Sequence, residues 1–258
     1  MKKIVAGLAA MALSAVMLAS CGKAEENTVH SVDDLNGKNI GVQIGTTGDT
    51  LAGDIENANV EKYTKYSDAV QALKQGKIDA VIIDNDTASV FVSKNDDVEL
   101  LSEGFADEEY AIAMALDNET LQTEINGALK ELSNDGTLKA IKDFYDAEDK
   151  GEGYKSPADV DRSKGKLIMA TNAEFPPYEY REGDKIIGFD VDMMTAVCDK
   201  LGYELEISDM AFESIIPAVQ SGKAQVGVAG MSVTEERQKN VRFSDPYTTT
   251  HLVVMVRK

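Results

Sequence analysis

Cysteine, histidine and tryptophan are scarce in this 258-residue chain, which holds two, two and none. The missing tryptophan excludes nothing. The cysteines are Cys21 and Cys198, and so few rule out a disulfide framework. His30 and His251 stand far apart, and with so few soft ligands no transition-metal site is expected. Positive charge is also short. Lys and Arg total 26 against 45 Asp and Glu, a net charge of −19, so nucleic acid is not an expected partner. Such acidity solubilises a surface and gives a weak preference for cationic ligands.

Only the N-terminus carries a long apolar run. Lys2 and Lys3 precede it, and Leu18, Ala19 and Ser20 close it before Cys21. This pattern marks residues 1–20 as a secretory signal with a small-residue cleavage site. The stretch at 18–21 resembles the bacterial lipobox, which implies lipidation of Cys21. Residues 21–30 then form a polar tether. After them no apolar segment is long enough to span a bilayer.

Strand-like and helix-like stretches alternate along the rest of the chain. A short helix or turn is expected at "SVDDL" and a strand at 39–44. A helix carries Val70, Ala72 and Leu73 inward and ends at Gly76, and a strand follows at 78–83. "ELLSEGF" and "EEYAIAMAL" are two further strand candidates, and residues 120–133 and 137–145 are helices. Residues 146–166 lack apolar periodicity and are rich in Gly, Ser, Pro and charge, an exposed linker.

The alternation then restarts. "KLIMAT" is a strand, and the helix over "FDVDMMTAVCDKLG" stops at Gly202. Val191, Met194, Val197 and Leu201 stripe that helix, which makes Cys198 a buried structural thiol. "YELEIS", "AQVGVAG" and "HLVVMVRK" are strands; "ESIIPAVQSG" and "TEERQKN" are helices. The stretch "AVQSGKAQVGV" (218–228) echoes "ALKQGKIDAVI" (72–82). Two such α/β units predict two lobes with largely parallel sheets, whose ligand loops follow the carboxyl ends of strands.

Several residues in those loops carry usable chemistry. Thr234 reads as a helix N-cap and places Arg237 in the first turn, against the helix dipole. Two readings stand for Arg237: it grips a ligand carboxylate, or it is solvated beside Glu235 or Glu236. The Gly/Thr loop "IGTTGDT" suits an anion but lacks a nucleotide-phosphate pattern; an ordinary turn is the alternative. Asp84, at a strand's carboxyl end, either meets an ammonium group or caps a helix. Phe175, Tyr178 and Phe212 are aromatics able to wall a pocket. A carboxylate reader and an ammonium reader together match an α-amino acid.

The stretches "ATNAEFPPYEY", "IIGFDVDMMTAVCDKLG", "MAFESIIPAVQSGK", "AGMSVTEERQKNVRFSDPY", "GKNIGVQIGTTGDT" and "ALKQGKIDAVIID" carry the chain further. Together they resemble the solute-binding proteins of polar amino-acid ABC transporters, extracellular family 3. That resemblance implies a two-lobed, type II periplasmic-binding-protein-like α/β fold, each lobe a mostly parallel sheet flanked by helices. It implies that Arg237, Ser232 and backbone groups near Gly230 hold the ligand α-carboxylate. Thr47 and the backbone of Thr46 and Gly48 add donors from the other lobe. Asp84 takes the α-ammonium with the Gly230 carbonyl, and Phe175 and Phe212 sandwich the ligand side chain. Asn172, Glu174 and Gln43 occupy positions that tune side-chain choice.

The motifs appear in another order than in the family, as in a circular permutant whose usual ends are joined by the 146–166 linker. The expected lobes are residues 31–108, the smaller, and 109–258, the larger. Only residues 108–114 are expected to cross between them. The expected partners are a polar or basic amino acid, an ABC transporter permease and the membrane through the lipid anchor. The protein is expected to be a monomer, exported to the outer face of the bacterial cell membrane or the periplasm. No cofactor, metal or catalysis is implied. A lyase or dehydratase on the same fold and a ligand sensor are the competing functions.

Overall fold

The computed structural model describes residues 26–147 and 153–258. The expected signal segment, the Cys21 lipidation site, tether residues 21–25 and residues 148–152 of the linker lie outside the described residues.

Two five-stranded sheets organise the chain. The first joins β1 (Asn39–Gln43), β2 (Asn59–Tyr63), β3 (Ala80–Asp84), β4 (Val98–Tyr110) and β13 (Thr248–Arg257) in the order β2-β1-β3-β13-β4. β1 runs parallel to β2 and β3, while β13 is antiparallel to β3 and β4. The second sheet joins β5 (Ala113–Met114), β6 (Lys166–Thr171), β10 (Glu204–Asp209), β11 (Val226–Gly227) and β12 (Arg242–Phe243) in the order β10-β6-β11-β5-β12. Here β6 is parallel to β10 and β11, and β5 is antiparallel to β11 and β12.

The two sheets therefore repeat one plan. Each has three parallel strands, then an antiparallel strand, then an outer one. β3 and β11 hold the same place, which gives the echo between residues 72–82 and 218–228 its physical basis.

Apolar alternation explains the packing. In β3 and β13 every residue of 80–84 and 252–256 is buried, so both strands are covered on both faces. One face of the first sheet buries Ile40, Val42, Ile82, Val254 and Val256 with Val29 and Leu35. Val29 is fully buried, so the polar tether has given way to folded chain by that residue. The other face packs α2 (Tyr66–Lys74), which buries Ala69, Val70, Ala72 and Leu73. Gly76 takes the left-handed conformation that ends this helix, at φ 70°.

On the second sheet α6 (Phe189–Leu201) lies against α4 (Glu119–Asn134) and α5 (Thr137–Asp146). Their contact buries Ile125, Leu129, Ile141, Met193, Val197 and Cys198. Cys198 is the expected structural thiol, and burial pushes it up to about 12. α7 (Ile215–Gln220) covers the opposite face.

Several elements differ from expectation. "ELLSEGF" and the start of "EEYAIAMAL" form one 13-residue strand, β4. It stays continuous because β13 pairs along its length, with register shifts between Leu252 and Met255. α3 (Asn85–Ser93) was not foreseen, nor was the small antiparallel sheet of β7 (Glu174–Phe175), β8 (Glu179–Glu182) and β9 (Lys185–Ile187).

The expected lobe boundary at 109–258 also needs correction. β13 lies inside the first sheet, between β3 and β4, because its run of apolar residues needs cover on both faces. The chain thus passes between the sheets twice, from β4 to β5 and from β12 to β13. Two covalent crossings join the lobes where one was expected.

Linker residues 153–165 form no helix or strand but are not loose. The Tyr154 amide donates to Asp192 at 2.9 Å, and the Tyr154 hydroxyl and Arg162 both bond Asp199, all on α6. Among the described residues no helix is long and apolar enough to cross a membrane.

Candidate functional site

The carboxyl ends of both sheets converge on one cleft. It is lined by Gln43, Thr46, Thr47, Tyr66, Asp84, Glu108, Tyr110 and Leu252 from one side. Phe175, Phe212, Ala229, Gly230, Ser232 and Arg237 line the other. The cavity between them is ≈20 Å³, about the space one water needs. An amino acid enters only if the lobes part or the lining side chains turn.

Each expected residue has a traceable position. Thr46 caps α1 (Thr47–Ala52) by accepting from the Asp49 amide at 3.1 Å, which leaves Thr47 in the first turn. Asp84 takes the capping role of its two readings and stands in the cleft as well. It caps α3, accepting from the Thr87 amide at 3.0 Å, and it also lines the cleft. Its other oxygen accepts from Thr250 at 2.7 Å and Tyr110 at 3.0 Å. Burial pushes its carboxyl up to about 6, with these bonds opposing the rise.

Arg237 is not paired with Glu235 or Glu236. Thr234 caps α8 (Glu235–Gln238) by accepting from the Arg237 amide at 3.2 Å. The guanidinium donates to the Ser232 carbonyl at 2.7 Å and, across the cleft, to the Gly45 carbonyl at 3.0 Å. It lies 5.4 Å over the Phe212 ring. Among the described residues it has no carboxylate within ion-pair distance, and burial lowers its pKa against the attraction of Glu108. A half-buried cation bonded only to carbonyls is disposed to receive an anion.

Gly230 is needed for the close approach around it. Its φ is +52°, and a Cβ there would lie 2.6 Å from Phe175 Cε1 and 3.2 Å from Tyr110. Its amide donates to Asp190 at 3.0 Å, which also accepts from the Tyr247 hydroxyl at 3.0 Å. Asp190 and Glu179 are fully buried, and burial raises both carboxyls, Asp190 to about 6. Both Glu179 oxygens and Asp190 Oδ1 are buried without a hydrogen-bond partner among the described residues.

Four expected residues, Gly48, Asn172, Glu174 and Tyr178, lie outside the cleft lining. Gly48 packs under it, with space for a Cβ closed off by Ile82 at 3.3 Å. Asn172 is spent on a bridge: it accepts from Gln43 at 2.8 Å and donates to the Met210 carbonyl at 2.9 Å. Glu174 turns outward and pairs with Lys65 at 2.5 Å on the rim. The Tyr178 hydroxyl bonds Asp86 at 2.8 Å, another link between lobes.

Sequence reasoning missed Tyr66, Glu108, Tyr110, Ala229 and Leu252. Tyr110 and Leu252 sit on strands and read as core. Glu108 is one of several acidic residues in "ADEEY", and no local signal separates it from its neighbours.

A cation and a carboxylate converge between two sheets of one plan. The model for bacterial extracellular solute-binding proteins, family 3, matches residues 167–258. This part of the chain is similar to that family.

Among curated relatives, the arginine-binding extracellular protein ArtP of Bacillus subtilis (strain 168) is 46% identical over 95 residues, 37% of each chain. The L-cystine-binding protein TcyJ of Escherichia coli (strain K12) is 34% identical over 125 residues, 48% of this chain and 47% of that one. A solved ancestral arginine-binding protein bound to arginine is 49% identical over 33% of this chain and 38% of its own, with a TM-score of 0.32. The chain spans less than half the length of the curated relatives it matches. Among the described residues no group of three His, Cys, Asp or Glu is placed to hold a metal.

Proposed function

We propose that this protein captures an amino acid between its two lobes and delivers it to the permease of an ABC transporter. The observation that carries this is one cleft holding Arg237 and Asp84, a free cation and a buried carboxylate from opposite lobes. Arg237 and the Ser232 and Thr47 hydroxyls receive the α-carboxylate, and Asp84 with the Gly230 carbonyl receives the α-ammonium. Phe175 and Phe212 flank the side chain. Capture needs no bond chemistry, only opening and closure about the two crossings.

The relatives named for arginine favour a cationic ligand. A binding screen across the amino acids tests the proposal, and failure of every one to bind refutes it.

Export, lipidation at Cys21, tethering through residues 21–30 and a monomeric state belong to the same proposal, as does a permuted chain order. The family's match to residues 167–258 and a linker anchored along α6 support the permutation. A rearranged gene placing residues 166–258 before residues 31–147 tests it. The product should fold and bind the same ligand, and an unfolded product refutes the permuted order.

A further inference from the structure

Glu108 is a buried carboxylate that the proposed binding scheme leaves without a task. It lies near the end of β4, just before the first crossing between lobes, and is 7% exposed. One of its oxygens, Oε1, accepts from two hydroxyls. Thr47 Oγ1 approaches from the N-terminus of α1, and Ser232 Oγ approaches at 2.5 Å from the loop before α8. Its second oxygen lies 3.4 Å from the Tyr110 hydroxyl. Among the described residues it has no ion pair, although it attracts Arg237 through space.

Thr47 and Ser232 come from opposite lobes, and their hydroxyls lie 3.5 Å apart. Glu108 therefore bridges hydroxyls of both lobes. It does so with the same donors assigned above to a ligand carboxylate. Each hydroxyl has one proton to give. Two carboxylates cannot both be served, and a second negative charge beside the first in a water-poor cleft is costly.

We infer that Glu108 is an internal competitor for the ligand α-carboxylate, a latch that closes the lobes by itself and must turn away before an amino acid can bind. The inference rests on assigning Thr47, Ser232 and Arg237 to the ligand carboxylate. A protein latched shut for ~90% of the time binds ~10-fold more weakly than its open form, because only the competent fraction counts.

The test compares the full-length wild type with Glu108→Ala and Glu108→Gln. Small-angle scattering without amino acid should give a larger radius of gyration for Glu108→Ala than for wild type. Glu108→Gln, which still accepts hydrogen bonds but carries no charge, should expand less. Calorimetry with L-arginine should show tighter binding to Glu108→Ala by about that ~10-fold factor. Unchanged scattering in whichever variants melt cooperatively overturns the latch, and so does weaker binding by Glu108→Ala. If wild type binds neither L-arginine nor any other amino acid, the transport proposal fails, and the scattering comparison still decides the latch.

Discussion

Gln43 and Asn172 meet across the cleft: Gln43 Nε2 donates to Asn172 Oδ1 at 2.8 Å while also donating to the Thr64 carbonyl at 2.9 Å. One residue ends β1 of the first sheet and the other follows β6 of the second. The two strands hold equivalent places in their sheets, so the bond joins the pseudo-equivalent tips of the lobes. Replacing either residue with alanine removes one inter-lobe bond. A bond of this kind is worth about 0.5–1.5 kcal/mol, so binding should weaken by roughly 2–10-fold. Calorimetry with L-arginine on Asn172→Ala checks this, and an unchanged affinity would show that the bridge does not support closure.

Arg237 is the cation of the cleft, and its guanidinium spans both lobes through Ser232 and Gly45. Arg237→Ala leaves a buried ligand carboxylate unpaired, at a cost of about 2–5 kcal/mol, which raises the dissociation constant at least ~30-fold. Equilibrium dialysis with labelled amino acid measures it. Near-normal binding would move the carboxylate site elsewhere.

Asp84 ties affinity to pH. Its folded pKa, about 6, lies above the ordinary 3.8. Above that value it is charged and pairs with an ammonium; below, it is neutral. Affinity should therefore fall as pH drops through about 6, by up to ~10-fold per unit. Stability of the unliganded protein has the opposite sign. Between the unfolded and folded pKa values the folded state binds the extra proton at Asp84, and again at Asp190. The melting midpoint should therefore rise as pH falls from about 7 to about 5. Melting and titration over this range check both signs, and affinity that holds steady down to pH about 5 would remove Asp84 from the ammonium site.

Gly230 is expected to resist any side chain. Alanine there forces a Cβ to 2.6 Å from Phe175 at φ +52°. The conformational cost alone is about 1–3 kcal/mol. Phe175 must move, so Gly230→Ala should lose both stability and binding, read by melting and calorimetry. A fully active, equally stable variant would show that the loop around Gly230 yields easily.

Much of this was legible in the sequence, because most of it is written locally. Helical periodicity marks α2, α4 and α6, and Gly76 and Gly202 mark where two of them stop. Arg237 and Asp84 stand beside cap residues in loops after strands, so chemistry and position coincide. The misses are nonlocal. β13 carries the same apolar run whether it lies in one lobe or the other, and only its pairing with β3 and β4 decides. Glu108 lies in an acidic stretch, and its burial depends on Thr47 and Ser232, 61 and 124 residues away in sequence. Asn172 and Glu174 lie outside the cleft lining, where their partners Gln43 and Lys65 hold them as bridge and rim.

The central claim is that the cleft binds an amino acid, and a thermal-shift titration tests it most directly. The full-length protein is melted with each proteinogenic amino acid, ornithine and cystine at increasing concentration. A ligand that binds only the folded state at 100 times its dissociation constant stabilises by about 2.7 kcal/mol. The account predicts a concentration-dependent rise with at least one cationic amino acid, and its loss in Arg237→Ala. A midpoint that no amino acid moves would contradict it.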